Sequence, residues 1–209
     1  GDSEVTLPRS GTNLLIVYKG SSDTNPLPYF IQIVTPDRTT NALTLGTPVT
    51  GTLNEAGEED RFTFSGTAGQ RLYYDALDGE GDSLGATLLD PVGNSVFSVN
   101  AESDYGPFTL TYTGTYTLLL KGSGDAIGSY RFRLIDIAQA PAQTLAFDTP
   151  ASGTLDPGTS VDIYRVVGSA GQRVYCDGAS TNTGPGSWQL YGTENQSLSG
   201  NAFWGDSEV

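Results

Sequence analysis

Residues 60–66 read Asp-Arg-Phe-Thr-Phe-Ser-Gly, with aromatic side chains at alternate positions and polar side chains between them. Successive side chains of a β-strand point to opposite faces, so this alternation predicts a strand with one face packed in the core and the other exposed to solvent. Residues 130–134, Tyr-Arg-Phe-Arg-Leu, repeat the pattern. Both stretches therefore predict β-structure with a single buried face.

The surrounding sequence extends this pattern through about 100 residues. Turn signals such as Asp-Pro-Val-Gly-Asn at 90–94 separate short apolar runs. Two half-apolar sheets bury their faces most simply against each other, so the pattern predicts an antiparallel β-sandwich of the jelly-roll or Greek-key type. The predicted strands cover residues 41–45, 60–66, 70–77, 85–90, 94–99, 107–112, 115–121 and 128–137.

The sequence repeats itself with a period of 102 residues. Residues 47–53, Thr-Pro-Val-Thr-Gly-Thr-Leu, correspond to 149–155, and residues 68–73 correspond to 170–175. Further along, residues 86–89 align with 187–190, within one residue of the same offset, and the turn motif of 90–94 is lost at 191–195. The second copy then stops at Val209.

The remainder of the second copy matches the other end of the chain. Residues 6–20 resemble 109–122, and residues 29–33 resemble 130–134. We therefore predict an all-β protein of tandem sandwich units, one complete and one split between the termini. Three segments follow: a complete sandwich at 39–138, the N-terminal half of the split sandwich at 143–209, and its C-terminal half at 1–36.

The two ends of the chain share five residues. Residues 1–5 and 205–209 both read Gly-Asp-Ser-Glu-Val, which predicts copies joined head to tail. Two versions stay open. The copies are joined covalently in a longer chain, which the duplication favours, or strands of one 209-residue subunit complete the sheet of the next. Either contact propagates into a filament unless its rotation closes a ring.

The composition of the chain argues against several classes of function. The net charge of −14 argues against nucleic acid as a partner, because phosphate contacts need clustered Lys and Arg. No apolar run approaches the ~20 residues that span a membrane, and no signal segment opens the sequence. The single cysteine, Cys176, is interpreted as a small buried apolar residue, against an interchain bridge or a reactive thiol. An extracellular or cell-surface location is expected.

The central unit resembles a known family. The motifs that carry the resemblance are Gly-Thr-Leu at 51–53, Asp-Arg-Phe-Thr-Phe at 60–64, Ala-Gly-Gln at 68–70, Leu-Asp-Pro-Val-Gly-Asn at 89–94, Gly-Thr-Tyr-Thr-Leu at 114–118 and Ser-Tyr-Arg-Phe at 129–132. In this order they resemble the bacterial pre-peptidase C-terminal domain. The resemblance implies a β-sandwich of secreted bacterial proteins, used as an appendage that in some cases binds matrix polymers or calcium.

The residue inventory predicts no enzyme. The chain has no histidine to act as a base near neutral pH, so Ser-His and Cys-His nucleophile systems are excluded. The 24 acidic residues permit carboxylate pairs for glycoside cleavage, but no pair is distinguished from the others. No phosphate-binding loop, dinucleotide fingerprint or zinc spacing occurs in the sequence.

One acidic stretch is a candidate cation site, and no other cofactor is predicted. Asp75, Asp78, Glu80 and Asp82 place carboxylates at spaced positions among glycines, as an oxygen-ligated calcium ion requires. The alternative interpretation is a solvated acidic hairpin. The corresponding residues 180–184 lack carboxylates, which argues against an essential role.

Apolar residues of the split unit are the candidate self-association site. The aromatic residues near the C-terminus are interpreted as sandwich core, with stacking on sugars or a subunit contact as alternatives. The predicted assembly residues are Val5, Leu7, Leu15, Val17, Ile31, Ile33, Trp188, Leu190, Phe203 and Trp204.

The sequence thus favours a structural repeat unit of an extracellular filament or cell-surface stalk, whose partner is another copy of itself. The alternative is an adhesin-like binding module for polysaccharide or matrix protein, with calcium as its ion. A non-catalytic appendage of a secreted hydrolase ranks third.

Overall fold

The structure, a computed structural model, describes residues 3, 5–20, 24–79, 83–178 and 184–205, and the backbone of 207–208. These residues contain strands but no helix, and hence no helix that could span a membrane. The first nine strands are β1 (Arg38–Ala42), β2 (Val49–Leu53), β3 (Glu59–Gly66), β4 (Arg71–Ala76), β5 (Leu84–Leu89), β6 (Ser95–Asn100), β7 (Tyr105–Thr109), β8 (Gly114–Gly122) and β9 (Gly128–Asp136).

These nine strands form the central sandwich, residues 38–136. One sheet has the order β1-β3-β8-β5-β6, and the other has the order β2-β9-β4-β7. The chain passes from one sheet to the other at every connection except the β5–β6 hairpin. Strands β2 to β9 therefore form a jelly roll, to which β1 adds an edge strand. The predicted all-β sandwich class is confirmed.

The two sheets share one core, to which the inward faces of the strands contribute. The rings of Phe62 in β3 and Phe132 in β9 meet edge to face, with centroids 5.4 Å apart. Tyr74 in β4 stacks on Phe132 at 5.6 Å. Tyr116 and Leu118 in β8 are completely buried. Because β8 and β9 lie in the interior of their sheets, each holds two neighbouring strands together.

The structure corrects two of the predicted strand assignments. The first strand is not at 41–45: β1 covers Arg38–Ala42 and pairs with β3 in parallel, so the sheets are not wholly antiparallel. Its five exposed residues lack apolar alternation, which hid it from the pattern. Strand β2, Val49–Leu53, was missed because Gly51 occupies one of its inward positions, where alternation would place an apolar side chain.

The C-terminal half-unit, residues 143–208, is much less regular. Its strands are paired in three separate two-stranded sheets, and no closed sandwich forms among its described residues. Val167 and Tyr175 are mainly exposed there. The strands are β10 (Gln143–Thr144), β11 (Tyr164–Arg165), β12 (Tyr175–Cys176), β13 (Ser187–Tyr191), β14 (Ser197–Ala202) and β15 (Ser207–Glu208).

The C-terminal half-unit packs on the outer face of the four-stranded sheet. Asn195, in the β13–β14 turn, accepts a hydrogen bond from Arg71 Nε at 2.5 Å and donates one to Thr109 Oγ1 at 2.7 Å. Arg165 in β11 donates to the carbonyl oxygen of Ile137 at 2.7 Å. Ile135, an outward residue of β9, is buried under this cover. The half-unit is therefore anchored at two points.

Replacing Asn195 with glycine should release one of these anchors and keep the turn. Asn195 has a left-handed backbone, with a φ of 63°, which glycine adopts readily. A hydrogen bond to a charged group contributes about 1.5–3 kcal/mol, so solvent exchange of the Arg71 Nε proton should rise roughly tenfold or more. NMR measures that exchange, and β13–β14 cross-strand signals report whether the hairpin persists. Unchanged exchange with an intact hairpin would contradict the anchor.

Candidate self-association site

The N-terminal segment, residues 5–37, is apolar and exposed. Leu14, Ile16, Phe30 and Ile33 have 84%, 74%, 89% and 79% of their surface accessible. None of the described residues in this segment belongs to a strand. Contiguous exposed apolar surface of this kind marks an interaction site on soluble proteins.

This segment carries the sequence counterparts of two interior strands of the central sandwich, β8 and β9. Residues 6–20 match 109–122, which include β8, and residues 29–33 match 130–134 within β9. In the central sandwich, Leu118 of β8 and Phe132 of β9 are completely buried. Similar strand sequences are therefore buried in the central sandwich and exposed in the N-terminal segment.

The C-terminal half-unit reproduces the pairing of the central sandwich at an offset of 102 residues. The parallel pair Asn41↔Phe62 of β1–β3 recurs as Gln143↔Tyr164 of β10–β11. The pair Tyr74↔Tyr105 of β4–β7 recurs as Cys176↔Ser207 of β12–β15. The three small sheets are therefore fragments of a second jelly roll.

The β13–β14 hairpin matches β5–β6 in the same way. Ala86↔Val99 recurs as Trp188↔Asn201, and the register shift after Leu88 recurs after Leu190. The offset is 102 here too, so the sequence alignment of 86–89 with 187–190 was displaced by one residue.

The turn between these strands is retained, contrary to the sequence prediction that it is lost. The Gly93 amide donates to the Asp90 carbonyl at 3.0 Å, and the Asn195 amide donates to the Gly192 carbonyl at 3.2 Å. Both Gly93 and Asn195 have a positive φ. Asparagine replaces the motif glycine because its side chain tolerates the left-handed region.

The three small sheets correspond to the strand pairs of the central sandwich that involve neither β8 nor β9. Removing β8 from the order β1-β3-β8-β5-β6 leaves the pairs β1–β3 and β5–β6, whose counterparts are β10–β11 and β13–β14. Removing β9 from β2-β9-β4-β7 leaves the pair β4–β7, whose counterpart is β12–β15. It also leaves β2 without a neighbouring strand. Residues 151–155, the counterpart of β2, form no strand.

The predicted assembly residues lie in two groups. Trp188 and Leu190 are half-buried on one face of β13, and Phe203 lies against Gly186 at the base of the same hairpin. Trp204 is half-exposed. The other six are exposed in the N-terminal segment: Val5, Leu7, Leu15, Val17, Ile31 and Ile33.

The structure describes two of the four predicted calcium ligands, and Glu80 and Asp82 lie outside the described residues. Asp78 accepts hydrogen bonds from the Gly79 amide at 2.8 Å and from Ser129 Oγ at 3.1 Å. Asp75 is paired with Arg133. Among the described residues, no three carboxylate, His or Cys side chains converge as a metal site. Calcium stays a sequence prediction, which a fall in the melting temperature on adding EDTA would support.

Asp75 is a buried carboxylate on the outer face of the four-stranded sheet. It is 0% exposed, its Oδ2 accepts from Arg133 Nε at 2.8 Å, and none of the described residues donates a hydrogen bond to its Oδ1. Burial raises the pKa of Asp75 from 3.8 to about 6, against the lowering effect of Arg133 and with a contribution from Asp104. A backbone hydrogen bond from Val161, in the C-terminal half-unit, also lowers this pKa.

The stability of the wild type relative to an Asp75→Asn variant should increase as the pH falls from 6 to 4. Its pKa is higher in the folded than in the unfolded state, so the folded state binds the proton more tightly between pH 4 and 6. The stability difference between wild type and variant should therefore shift in favour of wild type as the pH falls through this window, by up to about 3 kcal/mol. Urea unfolding at pH 4, 5, 6 and 7 measures it. A difference that does not change with pH would contradict the burial of this charge.

Among known proteins, similarity to this chain was found only in solved structures. No protein-family model matches the chain, and no curated protein matches it. One similar structure is PliG from Aeromonas hydrophila, a periplasmic inhibitor of g-type lysozyme, with 13% identity and a TM-score of 0.39. It covers 48% of this chain and 99% of that chain.

Two further solved structures are similar to the chain. The pre-peptidase C-terminal domain of collagenase from Bacillus anthracis has 18% identity, a TM-score of 0.41, and coverage of 48% of this chain and 98% of that chain. PliG from Salmonella Typhimurium has 15% identity, a TM-score of 0.33, and coverage of 46% and 97%. The collagenase domain belongs to the family that the motifs of the central unit resemble.

Proposed function

We propose that this protein is a structural repeat unit of an extracellular filament or cell-surface stalk, and that its copies assemble head to tail by sharing a jelly roll. The N-terminal segment of one copy supplies the two interior strands that the C-terminal half-unit of the next copy lacks. The observation that carries the proposal is the set of three small sheets, which correspond to a jelly roll with those two strands removed.

The energetics favour such an exchange. Fully burying one large aliphatic or aromatic side chain contributes roughly 1.5–3 kcal/mol. Leu14, Ile16, Ile31 and Ile33 are exposed in a single copy, and so is Val166 on the receiving half. Two strands inserted in the interior of two sheets also satisfy backbone groups on both of their edges.

The geometry of the exchange favours a linear polymer. The donating surface lies at one end of the sequence and the receiving surface at the other, so the contact is heterologous and leaves both surfaces open on the terminal copies. The shared Gly-Asp-Ser-Glu-Val at 1–5 and 205–209 fits a seam at the seventh strand, because β15, Ser207–Glu208, corresponds to the start of β7. A covalent seam and a noncovalent one both place the same strands together.

The proposed role needs no catalysis, and an extracellular or cell-surface location suits it. The net charge of −14 keeps such a surface soluble, and the single cysteine leaves the fold independent of internal disulfides. The protein would act through its length, stiffness and surface.

Electron microscopy of the native material, together with its mass under denaturing conditions, tests the proposal. We expect uniform fibres whose axial repeat contains two sandwiches. A denatured mass near 22.0 kDa would mean noncovalent strand exchange, and a mass several times larger would mean a covalent array. Dispersed monomers at all concentrations would overturn the proposal.

A further inference from the structure

A buried tyrosine ties the two sheets of the central sandwich together. Tyr130 in β9 donates a hydrogen bond from its hydroxyl to Asp60 Oδ2 in β3 at 2.6 Å. The two strands belong to different sheets, and both residues are buried. Burial and the neighbouring Asp60 raise the pKa of Tyr130, which keeps the hydroxyl protonated as a donor. This bond crosses the core.

The tyrosine needs a glycine opposite it. Gly51 in β2 pairs with Tyr130 in β9, and a Cβ at Gly51 would lie 2.1 Å from the tyrosine hydroxyl oxygen. The backbone of Gly51 is not in the left-handed region, so its conformation alone does not require glycine. Gly51 is needed because the Tyr130 side chain passes directly over it.

The C-terminal half-unit carries two of these three residues. Gly153 and Asp162 are the counterparts of Gly51 and Asp60, 102 residues along. Asp162 Oδ2 lies 3.3 Å from the position that a Gly153 Cβ would take, so the two are adjacent here as well. Gly153 also lacks a left-handed backbone. The hydroxyl oxygen of Tyr164, the counterpart of Phe62, lies 3.4 Å from the position of a Gly153 Cβ, farther than the 2.1 Å that separates the Tyr130 hydroxyl oxygen from a Cβ at Gly51. Asp162 is exposed, whereas Asp60 is buried.

The missing tyrosine is in the N-terminal segment. Tyr29 is the sequence counterpart of Tyr130, and it is exposed and outside any strand. Resting on the proposed head-to-tail assembly, we infer that Tyr29 of one copy docks over Gly153 of the next copy and donates a hydrogen bond to its Asp162. The site is incomplete without the second copy.

This contact would set the register of the donated strand. In a β-strand a slip of one residue moves every side chain to the opposite face, so a slipped strand would bring Phe30 opposite Gly153 and turn Ile31 out of the core. Phe30 has no hydroxyl, so Asp162 would be enclosed without its donor. The polar contact therefore selects one register, and the apolar residues supply most of the affinity.

The assembly of the full chain with single substitutions tests the inference. A hydrogen bond to a charged carboxylate contributes about 1.5–3 kcal/mol, so Tyr29→Phe should raise the concentration for half-assembly roughly 10- to 100-fold. Overpacking costs about 1–3 kcal/mol, so Gly153→Ala should raise the concentration for half-assembly roughly 5- to 100-fold. The matched control is Gly158→Ala, because nothing lies within 4 Å of a Cβ at Gly158. Sedimentation velocity measures all three.

Cysteine pairs test the register directly in a Cys176→Ser background. Thr50↔Arg131 faces outward in the β2–β9 pair, and its counterparts are Ser152 and Phe30. Oxidation of a variant with Ser152→Cys and Phe30→Cys should give a ladder of disulfide-linked oligomers on a denaturing gel. The slipped control, with Ser152→Cys and Ile31→Cys, should crosslink weakly.

The outcomes separate this inference from the proposed function. Fibres in which Tyr29→Phe and Gly153→Ala assemble as the wild type does, or in which the slipped pair crosslinks better, would overturn the inference and leave the filament proposal standing. A wild-type chain that never assembles, or crosslinks found only within single chains, would overturn both.

Discussion

Replacing Ile31 with aspartate is expected to abolish assembly without unfolding the central sandwich. Ile31 corresponds to Phe132, which is completely buried between the two sheets, but in a single copy Ile31 is exposed. Enclosing an unpaired carboxylate costs several kcal/mol. Each 1.4 kcal/mol is tenfold in affinity, so the concentration for half-assembly should rise by at least about 100-fold. Sedimentation velocity measures assembly, and thermal unfolding reports the central sandwich.

The neighbouring residue supplies the control for this substitution. Phe30 corresponds to Arg131, which is exposed on the outer face of β9, so Phe30→Asp should assemble nearly as well as the wild type. Equal loss of assembly in both variants would indicate a general effect of charge. Loss of the central unfolding transition in Ile31→Asp would show that this residue belongs to the fold of the single chain.

Replacing Phe132 with alanine should give the largest loss of stability among single core substitutions. Its ring contacts Phe62 and Tyr74, and it is completely buried in an interior strand. Truncation of a buried phenylalanine to alanine costs about 3–5 kcal/mol, because transfer energy is lost and a cavity remains. Urea unfolding of the full chain, followed through the central transition, measures this loss.

An exposed residue of the same sandwich is the control. Val92 is 67% exposed in the β5–β6 turn, so Val92→Ala should change stability by less than about 0.5 kcal/mol. A small effect of Phe132→Ala, similar to that of Val92→Ala, would contradict the packing described for the core. Phe132 and Ile31 thus occupy corresponding positions, one in the central sandwich and one in the N-terminal segment.

The order of the strands explains why the central sandwich is closed and the C-terminal half-unit is not. Strand β8 lies between β3 and β5, and strand β9 lies between β2 and β4. A unit that lacks edge strands keeps its sheets, but one that lacks interior strands is divided into pairs. The C-terminal half-unit is divided in this way, although its local turns and registers persist.

The sequence alone predicted much of the central sandwich because its strands show a period of two. In β3 and β9 most of the inward residues are apolar and most of their neighbours are polar, and both strands were predicted with small errors at their ends. The 102-residue repeat likewise required only local matching. Strands β1 and β2 were misplaced or missed, since a polar edge strand and an inward glycine carry no alternation.

Other features depend on residues that are far apart in the sequence. The environment of Asp75 includes Arg133, 58 positions away, and the backbone of Val161 in the C-terminal half-unit, and the parallel pairing of β1 with β3 is a matter of sheet order. The need for glycine at position 51 became visible only when Tyr130 was found over it. The order of strands, which decides that the two missing strands are interior ones, likewise follows from the tertiary structure.

Local patterns in the sequence were enough to reveal repeated β-units and to predict that one of them is divided between the two ends of the chain. Periodicity and repetition are local properties, and each can be read from neighbouring residues. The positions of β8 and β9, which the N-terminal segment resembles, in the interior of two different sheets became known from the tertiary structure. Sheet order and burial depend on contacts between distant parts of the chain, and no local pattern encodes them.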